Sequence, residues 1–249
     1  MKPYNREYIL NVLKEYNNAI KDETKGSYKI SRKSLEKSNL QGYMYKNEYE
    51  YDEDIIELSN EDGSIMRLEP KEIEGCHEAI SYAQGRVGIV GLGLGYVVHE
   101  ISKKINVDEI IVYEISQEVI DLYKDNFGHN DKIKIICTDA FKAEREKFDF
   151  FFADIYGYEL TSRVVEDYKR FNEIHEIEEY SFWGMEHFLL SCKYEDLLWV
   201  YIPENWVAMC KSLYAELQAS NYIDNYEPLD EGKVTKILYE FKEVLNADM

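Results

Sequence analysis

The sequence predicts an α/β protein with a doubly wound, mainly parallel sheet, preceded by a helix and a β-hairpin. Three observations lead to this prediction. Short apolar strands alternate with helical patterns between residues 69 and 158, a glycine loop separates the first strand from its helix, and the later strands end at acidic residues. Alternating strands and helices are typical of parallel sheets, which bind ligands beyond the carboxyl ends of their strands.

Residues 1–68 are predicted to form an extension ahead of this sheet. Apolar residues recur every three or four positions between 4 and 21, which predicts an amphipathic helix. Two apolar runs, 55–58 and 65–68, flank an Asp-Gly step that favours a hairpin turn. The helix is a candidate for packing over a pocket or for a dimer contact, so a homodimer is one expected assembly.

A polar segment between this helix and the hairpin is rich in tyrosine. Its tyrosines are Tyr28, Tyr43, Tyr45, Tyr49 and Tyr51. Each offers a ring that can be buried and a hydroxyl that can form hydrogen bonds. The segment therefore predicts either the lining of a binding pocket or a lid that orders on binding.

The glycine loop lies between residues 91 and 95, where an apolar strand gives way to a helix. A predicted helix over 70–84 leads into that strand, which has the β-branched composition of a buried strand. After the loop, apolar residues recur at helical spacing as far as Ile105. Glycines let a backbone approach a ligand closely, and a helix start offers free N–H groups. The loop is therefore the first candidate for a binding site.

Three further strands each carry an acid to the same predicted edge. The first ends at Glu114, which follows the glycine loop by roughly 20 residues, an offset at which an acid can bind both ribose hydroxyls. The second ends at Asp139. The third ends at Asp154, with Tyr156 two positions later. Together with the loop, these acids predict one ligand site at the carboxyl edge of the sheet.

The patterns are weaker beyond Gly157. The charged stretch 164–180 is predicted to be helical, and the apolar run 197–202, which ends at a proline, is predicted to be a fifth strand. Two further helices are predicted over 206–217 and 233–245.

Composition and charge restrict the partners. The chain has 249 residues, with 29 Lys and Arg against 49 Asp and Glu, which gives a net charge of −20. Such a charge repels a phosphate backbone and disfavours nucleic acid as a partner. A cationic partner would be attracted, although solubility alone also accounts for the charge.

The sequence also indicates a cellular compartment. It contains no apolar stretch of membrane-spanning length, and its first residues do not form an apolar signal core. A cytoplasmic protein without a membrane partner is expected. The four cysteines are scattered without paired spacing, which predicts reduced thiols and no metal site.

The loop and the acids together resemble a known family. The loop reads G-x-G-x-G, and Tyr96 stands where a dinucleotide-binding fingerprint needs a small residue. With Glu114, Asp139 and Asp154 in that order, the chain resembles the class I S-adenosylmethionine-dependent methyltransferases. The resemblance implies a Rossmann-like domain over 69–249, with S-adenosylmethionine as cofactor and S-adenosylhomocysteine as product.

The resemblance also implies roles for individual residues. Catalytic roles fall to Asp154 and Tyr156. Cofactor contacts fall to Gly91, Leu92, Gly93, Gly95, Glu114, Ile115, Asp139, Ala140 and Asp154. The family's sheet closes with an antiparallel hairpin that has no convincing counterpart in this sequence.

The implied function is methyl transfer to a small-molecule or protein acceptor. The turn after Asp154 lacks the prolines that are typical of methyltransferases acting on planar nitrogens, so that acceptor class is disfavoured. The hairpin and the glycine loop are also similar to spermidine synthases, so an aminopropyltransferase is an alternative. A non-catalytic S-adenosylmethionine-binding protein is the third hypothesis, and Tyr96 disfavours a nicotinamide oxidoreductase.

Overall fold

A computed structural model describes residues 2–33, 40–44, 48–49 and 54–246. The α-helices are α1 (Arg6–Ala19), α2 (Pro70–Gly75), α3 (His77–Tyr82), α4 (Tyr96–Ser102), α5 (Gln117–Phe127), α6 (Arg163–Ile174), α7 (Met185–Ser191), α8 (Tyr194–Val200), α9 (Glu204–Ala219) and α10 (Glu231–Leu245). The strands are β1 (Glu23–Lys25), β2 (Tyr28–Lys33), β3 (Leu40–Gln41), β4 (Glu48–Tyr49), β5 (Ile55–Asn60), β6 (Gly63–Leu68), β7 (Gly85–Val90), β8 (Val107–Glu114), β9 (Ile133–Cys137), β10 (Lys147–Ala153) and β11 (Glu176–Phe182). Within the described ranges, no helix combines the length and the apolar character needed to cross a membrane.

The central sheet is parallel and confirms the predicted α/β fold class. Its strand order is β11-β10-β7-β8-β9, and each neighbouring pair runs parallel. Its central strands consist mainly of apolar residues that are buried on both faces, which is why they need not alternate with polar residues. In the register, Val90 pairs with both Ala153 and Tyr113. The carboxyl ends of β7, β8 and β10 therefore lie side by side.

An antiparallel sheet precedes the parallel one. The predicted hairpin is confirmed as β5 and β6, with Asn60 paired to Gly63 at the turn. It is half of a four-stranded sheet of order β1-β2-β5-β6, and the sequence reading did not anticipate β1 or β2. Arg32 of β2 binds the helix beside this sheet, because its Nη2 donates to the carbonyls of Asn17 at 2.7 Å and Ile20 at 2.8 Å.

The predicted N-terminal helix is confirmed as α1. Asn5 caps it by accepting a hydrogen bond from the Tyr8 N–H at 3.2 Å. Its buried face includes Tyr16, whose ring packs edge-on against Tyr96 with ring centroids 5.2 Å apart. The helix therefore packs directly on the helix that follows the glycine loop.

Two predicted helices differ from the structure in extent. The segment 70–84 forms two short helices that meet at Cys76, which is the C-cap of α2 and the N-cap of α3. The helix after the glycine loop ends at Ser102, so Ile105 lies beyond it with 98% of its surface exposed. Helical spacing alone had included Ile105 in that helix.

The predicted secondary structure beyond residue 163 was wrong in two places. Helix α6 ends at Ile174, and the second half of the predicted helix forms β11, which pairs with β10. The predicted strand over 197–202 is largely α8, with Leu197 and Val200 buried and Trp199 exposed, which is a helical pattern of burial. The fifth parallel strand therefore comes from a charged segment whose last three residues, Tyr180, Ser181 and Phe182, are buried.

Candidate functional site

A cavity of about 330 Å³ opens at the carboxyl ends of β7, β8 and β10. Its walls come from the glycine loop, from the last residue of β8, from the residues that follow β10 and β11, from strand β6 of the hairpin, and from α2. Among the described residues, none that lines this cavity is Lys, Arg or His. It is a concave site of the size that small-molecule ligands occupy, and its charged groups are all acidic.

The glycine loop is held by close backbone contacts. At Gly91, φ is +94°, and a methyl group there would lie 2.5 Å from the carbonyl oxygen of Asp154. At Gly93, φ is +51°, and a methyl group would lie 2.4 Å from Met66 Sδ. Both positions favour glycine because their dihedrals are left-handed, and at Gly91 the obstructing atom also belongs to the backbone. Gly95 ends the loop as the N-cap of α4.

The N–H groups of this loop are largely bonded within the protein. Gly91 donates to the Tyr113 carbonyl at 3.0 Å, and Gly95 donates to the Leu92 carbonyl at 2.8 Å. Leu94 donates to Met66 Sδ at 3.2 Å. A phosphate cradle needs free N–H donors or cationic side chains, and this loop offers few of the former and none of the latter. The geometry therefore disfavours a dinucleotide.

Glu114 lies at the end of β8 and joins the loop to the next helix. Its two carboxylate oxygens accept hydrogen bonds from the N–H of Leu92 at 3.0 Å and from the N–H of Ser116 at 2.9 Å. Each carboxylate oxygen has a second lone pair, so the group keeps acceptor capacity on the cavity wall. Ser116 also caps α5, because its Oγ accepts from the Val119 N–H. A fixed carboxylate of this kind suits a diol.

Asp154 and Glu72 form a pair of carboxyls that also lines the cavity. Together with the Cys76 thiol, their oxygens form a group of atoms that all lie within 4.8 Å of one another. Cys76 Sγ donates to Glu72 Oε1 at 3.2 Å. Burial raises the pKa of Glu72 to about 7, and burial with the nearby Glu72 raises the pKa of Asp154 well above its ordinary range. Near neutral pH the pair therefore retains a proton.

Two aromatic side chains complete this wall. Tyr158 and Trp183 contact each other edge to face, with ring centroids 5.1 Å apart. Tyr158 has a left-handed backbone, with φ at +65°, directly after Gly157 at +58°. A left-handed tyrosine costs roughly 1–3 kcal/mol, and such strain concentrates at functional sites. Its hydroxyl donates to the Arg67 carbonyl at 3.3 Å, which links the turn after β10 to the hairpin.

The structure distributes the predicted site residues between this cavity and its surroundings. The cavity wall includes Gly91, Leu92, Gly93, Glu114 and Asp154.

The remaining predicted residues lie outside the cavity wall. Asp139 begins a 3₁₀ helix (Ala140–Lys142), where it accepts a hydrogen bond from the Phe141 N–H at 3.0 Å. Ala140 is buried, and Ile115 is 73% exposed. Tyr156 is buried, with its ring against Phe182. These residues follow β8, β9 and β10, so they surround the same edge of the sheet.

Sequence reasoning missed Glu72, Tyr158 and Trp183 as members of the site. Glu72 lies in a predicted helix with nothing to distinguish it from surface acids, and Trp183 belonged to an aromatic run of unassigned role. Gly157 and Tyr158 both have a left-handed backbone conformation, and no sequence pattern reliably predicts two such residues in a row. In the tyrosine-rich segment, Tyr43 packs on Trp183 with ring centroids 4.9 Å apart. Tyr45 and Tyr51 lie outside the described residues.

No protein-family model matches the sequence, and no curated protein sequence matches it. Among solved structures, the spermidine synthase from Thermotoga maritima is 14% identical, with 63% of this chain and 52% of that chain covered and a TM-score of 0.40. A ribosomal protein L11 methylase from Lactobacillus delbrueckii subsp. bulgaricus is 17% identical, with 45% and 59% covered and a TM-score of 0.37.

A similar coverage is found for an S-adenosylmethionine-dependent methyltransferase from Clostridium acetobutylicum. It is 18% identical, with 45% of this chain and 46% of that chain covered and a TM-score of 0.33. The chain thus spans less than two thirds of the length of each of these three structures.

Proposed function

We propose that this chain is an S-adenosylmethionine-dependent methyltransferase that acts on a small-molecule or protein acceptor. One observation carries the proposal: the glycine loop and the Glu114 carboxylate share a cavity whose charged groups are all acidic. Such a cavity favours a ligand that combines a diol with a positive charge, and it disfavours a phosphate. S-adenosylmethionine has both features, in its ribose and its sulfonium.

The residues at this edge of the sheet fit that cofactor. Gly91 and Gly93 line the cavity and carry no side chain, so a ligand in the cavity can approach the loop backbone. The Glu114 carboxylate would accept hydrogen bonds from the ribose hydroxyls. Asp139 would accept one from the adenine amino group, and its pKa is lowered by the Phe141 N–H and by Lys142, so the group is ionised. Ile115 offers exposed apolar surface for the purine ring.

The chemistry asks little of the protein beyond positioning. When bound, S-adenosylmethionine supplies a methyl group on a sulfonium, which is a good leaving group. The chain aligns the acceptor lone pair with that methyl group and excludes water, and alignment of this kind provides much of the rate enhancement in such displacements. We assign acceptor contact to Asp154. Tyr156 remains a candidate for the second catalytic role. Because its side chain is buried, we propose that it acts by positioning the turn that carries Asp154.

Calorimetry with S-adenosylmethionine and S-adenosylhomocysteine tests the proposal. Glu114→Ala is expected to weaken binding by about 1.5–3 kcal/mol, the scale of charge-assisted hydrogen bonds. The matched control is Glu144→Ala, because Glu144 is exposed and precedes the amino end of β10, opposite the cavity. Equal affinities for the wild type and Glu114→Ala would remove Glu114 from the site, and no binding by the wild type would reject the proposal.

An aminopropyltransferase is the second candidate function, and one observation favours it. Strand β6 of the hairpin contributes Ile65 and Met66 to the cavity, so the extension takes part in the site. Product analysis separates the hypotheses, because a methyltransferase releases S-adenosylhomocysteine and an aminopropyltransferase releases methylthioadenosine. Tight cofactor binding without either product would favour the non-catalytic S-adenosylmethionine-binding protein.

A further inference from the structure

Glu72 is a buried carboxyl that the cofactor contacts proposed above do not use. It is 3% exposed, and it lies on α2 beside Asp154, which follows β10. The titratable groups around it are the carboxyls of Asp154 and Glu69, the Cys76 thiol and the Tyr158 hydroxyl. None of these groups supplies a positive charge. Lys71, also on α2, has its Nζ 4.9 Å from the centroid of the Tyr158 ring, but it is not among the residues that line the cavity. A buried carboxyl pair without a cation is unfavourable unless a ligand or a proton provides one.

The aromatic wall beside this pair points to the missing charge. Tyr158 and Trp183 both line the cavity, and the strained backbone of Tyr158 holds its ring there. Ring faces attract cations, most strongly where water is excluded. Trp183 is 5% exposed, and its Nε1 has no hydrogen-bond acceptor among the described residues. That nitrogen lies against Gly75, on the helix that carries Glu72.

We propose that the methyl acceptor is an amine, which binds as a cation between the carboxyls of Glu72 and Asp154 and the rings of Tyr158 and Trp183. This inference rests on the proposed methyltransferase function and adds the acceptor class to it. Carboxylates satisfy the N–H donors of an ammonium group, and the rings stabilise its charge. A neutral or anionic acceptor would bring no positive charge to this carboxyl pair.

The same pair gives the amine's proton a place to go. A bound ammonium R–NH₃⁺ passes one proton to the ionised carboxylate and becomes R–NH₂, which has a free lone pair. That lone pair attacks the methyl carbon, the carbon–sulfur bond breaks, and its electrons remain on sulfur as the neutral thioether. The product is R–NH₂–CH₃⁺, so charge and protons balance without another reactant. Glu72 and Asp154 act here as the proton acceptor.

Ligand-detected NMR titrations test the acceptor class. The probes are butylamine and benzylamine, each compared with the neutral alcohol of the same shape, butanol and benzyl alcohol. They are titrated into wild type, Glu72→Gln and the control Glu144→Gln, free and loaded with S-adenosylhomocysteine. Each amine is expected to bind wild type about tenfold more tightly than its alcohol, with Glu144→Gln unchanged and the preference lost in Glu72→Gln.

The pH dependence of the binding adds a second readout. Amine affinity is expected to rise as the pH passes about 7, because Glu72 then loses its proton and the carboxyl pair becomes more negative. In Glu72→Gln this rise is expected to be lost, and unchanged S-adenosylhomocysteine affinity would show that the variant is folded.

Two results would overturn the inference. One is an alcohol that binds as tightly as its amine, and the other is an amine preference that survives in Glu72→Gln. Failure of the methyltransferase proposal looks different, because it would abolish S-adenosylhomocysteine binding while the amine preference could still be measured on the free protein.

Discussion

At the residue scale, Gly91 couples the first strand of the parallel sheet to the turn after β10. Its left-handed backbone and its contact with the Asp154 carbonyl leave no space for a methyl group. The obstructing atom belongs to the backbone, so it cannot move aside as a flexible side chain would. The glycine is therefore required by packing as well as by any ligand.

Gly91→Ala is expected to lower the free energy of unfolding by roughly 3 kcal/mol, since the strain of a left-handed alanine adds to a backbone clash. Gly157→Ala is the matched control. Its φ is +58°, and nothing lies within 4 Å of an added Cβ, so only about 1–2 kcal/mol of backbone strain is expected. Urea denaturation measures both, and equal losses would contradict the packing role of Gly91.

At the element scale, β11 forms one edge of the parallel sheet, and helices from the C-terminal part of the chain cover it. Trp206 of α9 donates its Nε1–H to the carbonyl of Tyr180 in β11 at 2.9 Å, in a buried position. The Trp206 ring also packs on Phe241 of α10, with centroids 5.5 Å apart. An exposed strand edge invites pairing with other chains, and this cover prevents it.

Trp206→Phe tests how much that hydrogen bond contributes. The substitution keeps an aromatic ring and leaves the Tyr180 carbonyl without its donor. The free energy of unfolding is therefore expected to fall by about 1–3 kcal/mol. Trp199→Phe is the same substitution at a side chain that is 73% exposed, where a change within about 0.5 kcal/mol is expected. A comparable loss at both positions in urea denaturation would show that the buried hydrogen bond contributes nothing.

At the scale of the whole molecule, acidity continues from the surface into the interior. The net charge is −20, and carboxyls such as Glu186 are buried as well. Glu186 is 4% exposed, its Oε1 has no hydrogen-bond partner among the described residues, and burial raises its pKa well above the ordinary 4.5. The folded protein therefore holds this proton at a pH at which the unfolded chain has lost it.

The sign of the resulting pH dependence follows from that difference. Stability from the protonated Glu186 is fully present below about pH 4.5 and is lost as the pH rises towards the folded pKa, at about 1.4 kcal/mol per pH unit. Glu186→Gln removes this loss. The variant is expected to be nearly as stable as wild type at pH 5 and more stable at pH 8, as measured by urea denaturation.

Two histidines oppose this trend in the wild type and in the variant alike. Burial lowers the pKa values of His77 and His175 to about 4, which favours the folded state at higher pH until the unfolded histidines lose their protons near pH 6.5. The effect of the histidines is the same in both chains, so it cancels when the free energy of unfolding of the variant is compared with that of the wild type. Glu144→Gln should follow the wild-type curve, and the same curve for Glu186→Gln would contradict the assigned burial cost.

The sequence by itself determined much of the architecture, because periodicity reports burial over short distances. The apolar strands β7 to β10, the amphipathic α1 and the Asp-Gly hairpin turn each carry their own local pattern. The glycine loop, Glu114 and Asp154 were predicted for the same reason: parallel strands bring residues at their carboxyl ends together whatever surrounds them.

Only the tertiary structure decided which segment became the fifth strand of the parallel sheet. The run 197–202 and the charged β11 each suit more than one conformation, and the unpaired edge of β10 selects β11. Tertiary packing likewise brought Glu72, Tyr158 and Trp183 to one wall from separate elements. The spacing of these residues along the chain does not predict this contact, because the direction and burial of each side chain depend on its neighbours in the folded protein.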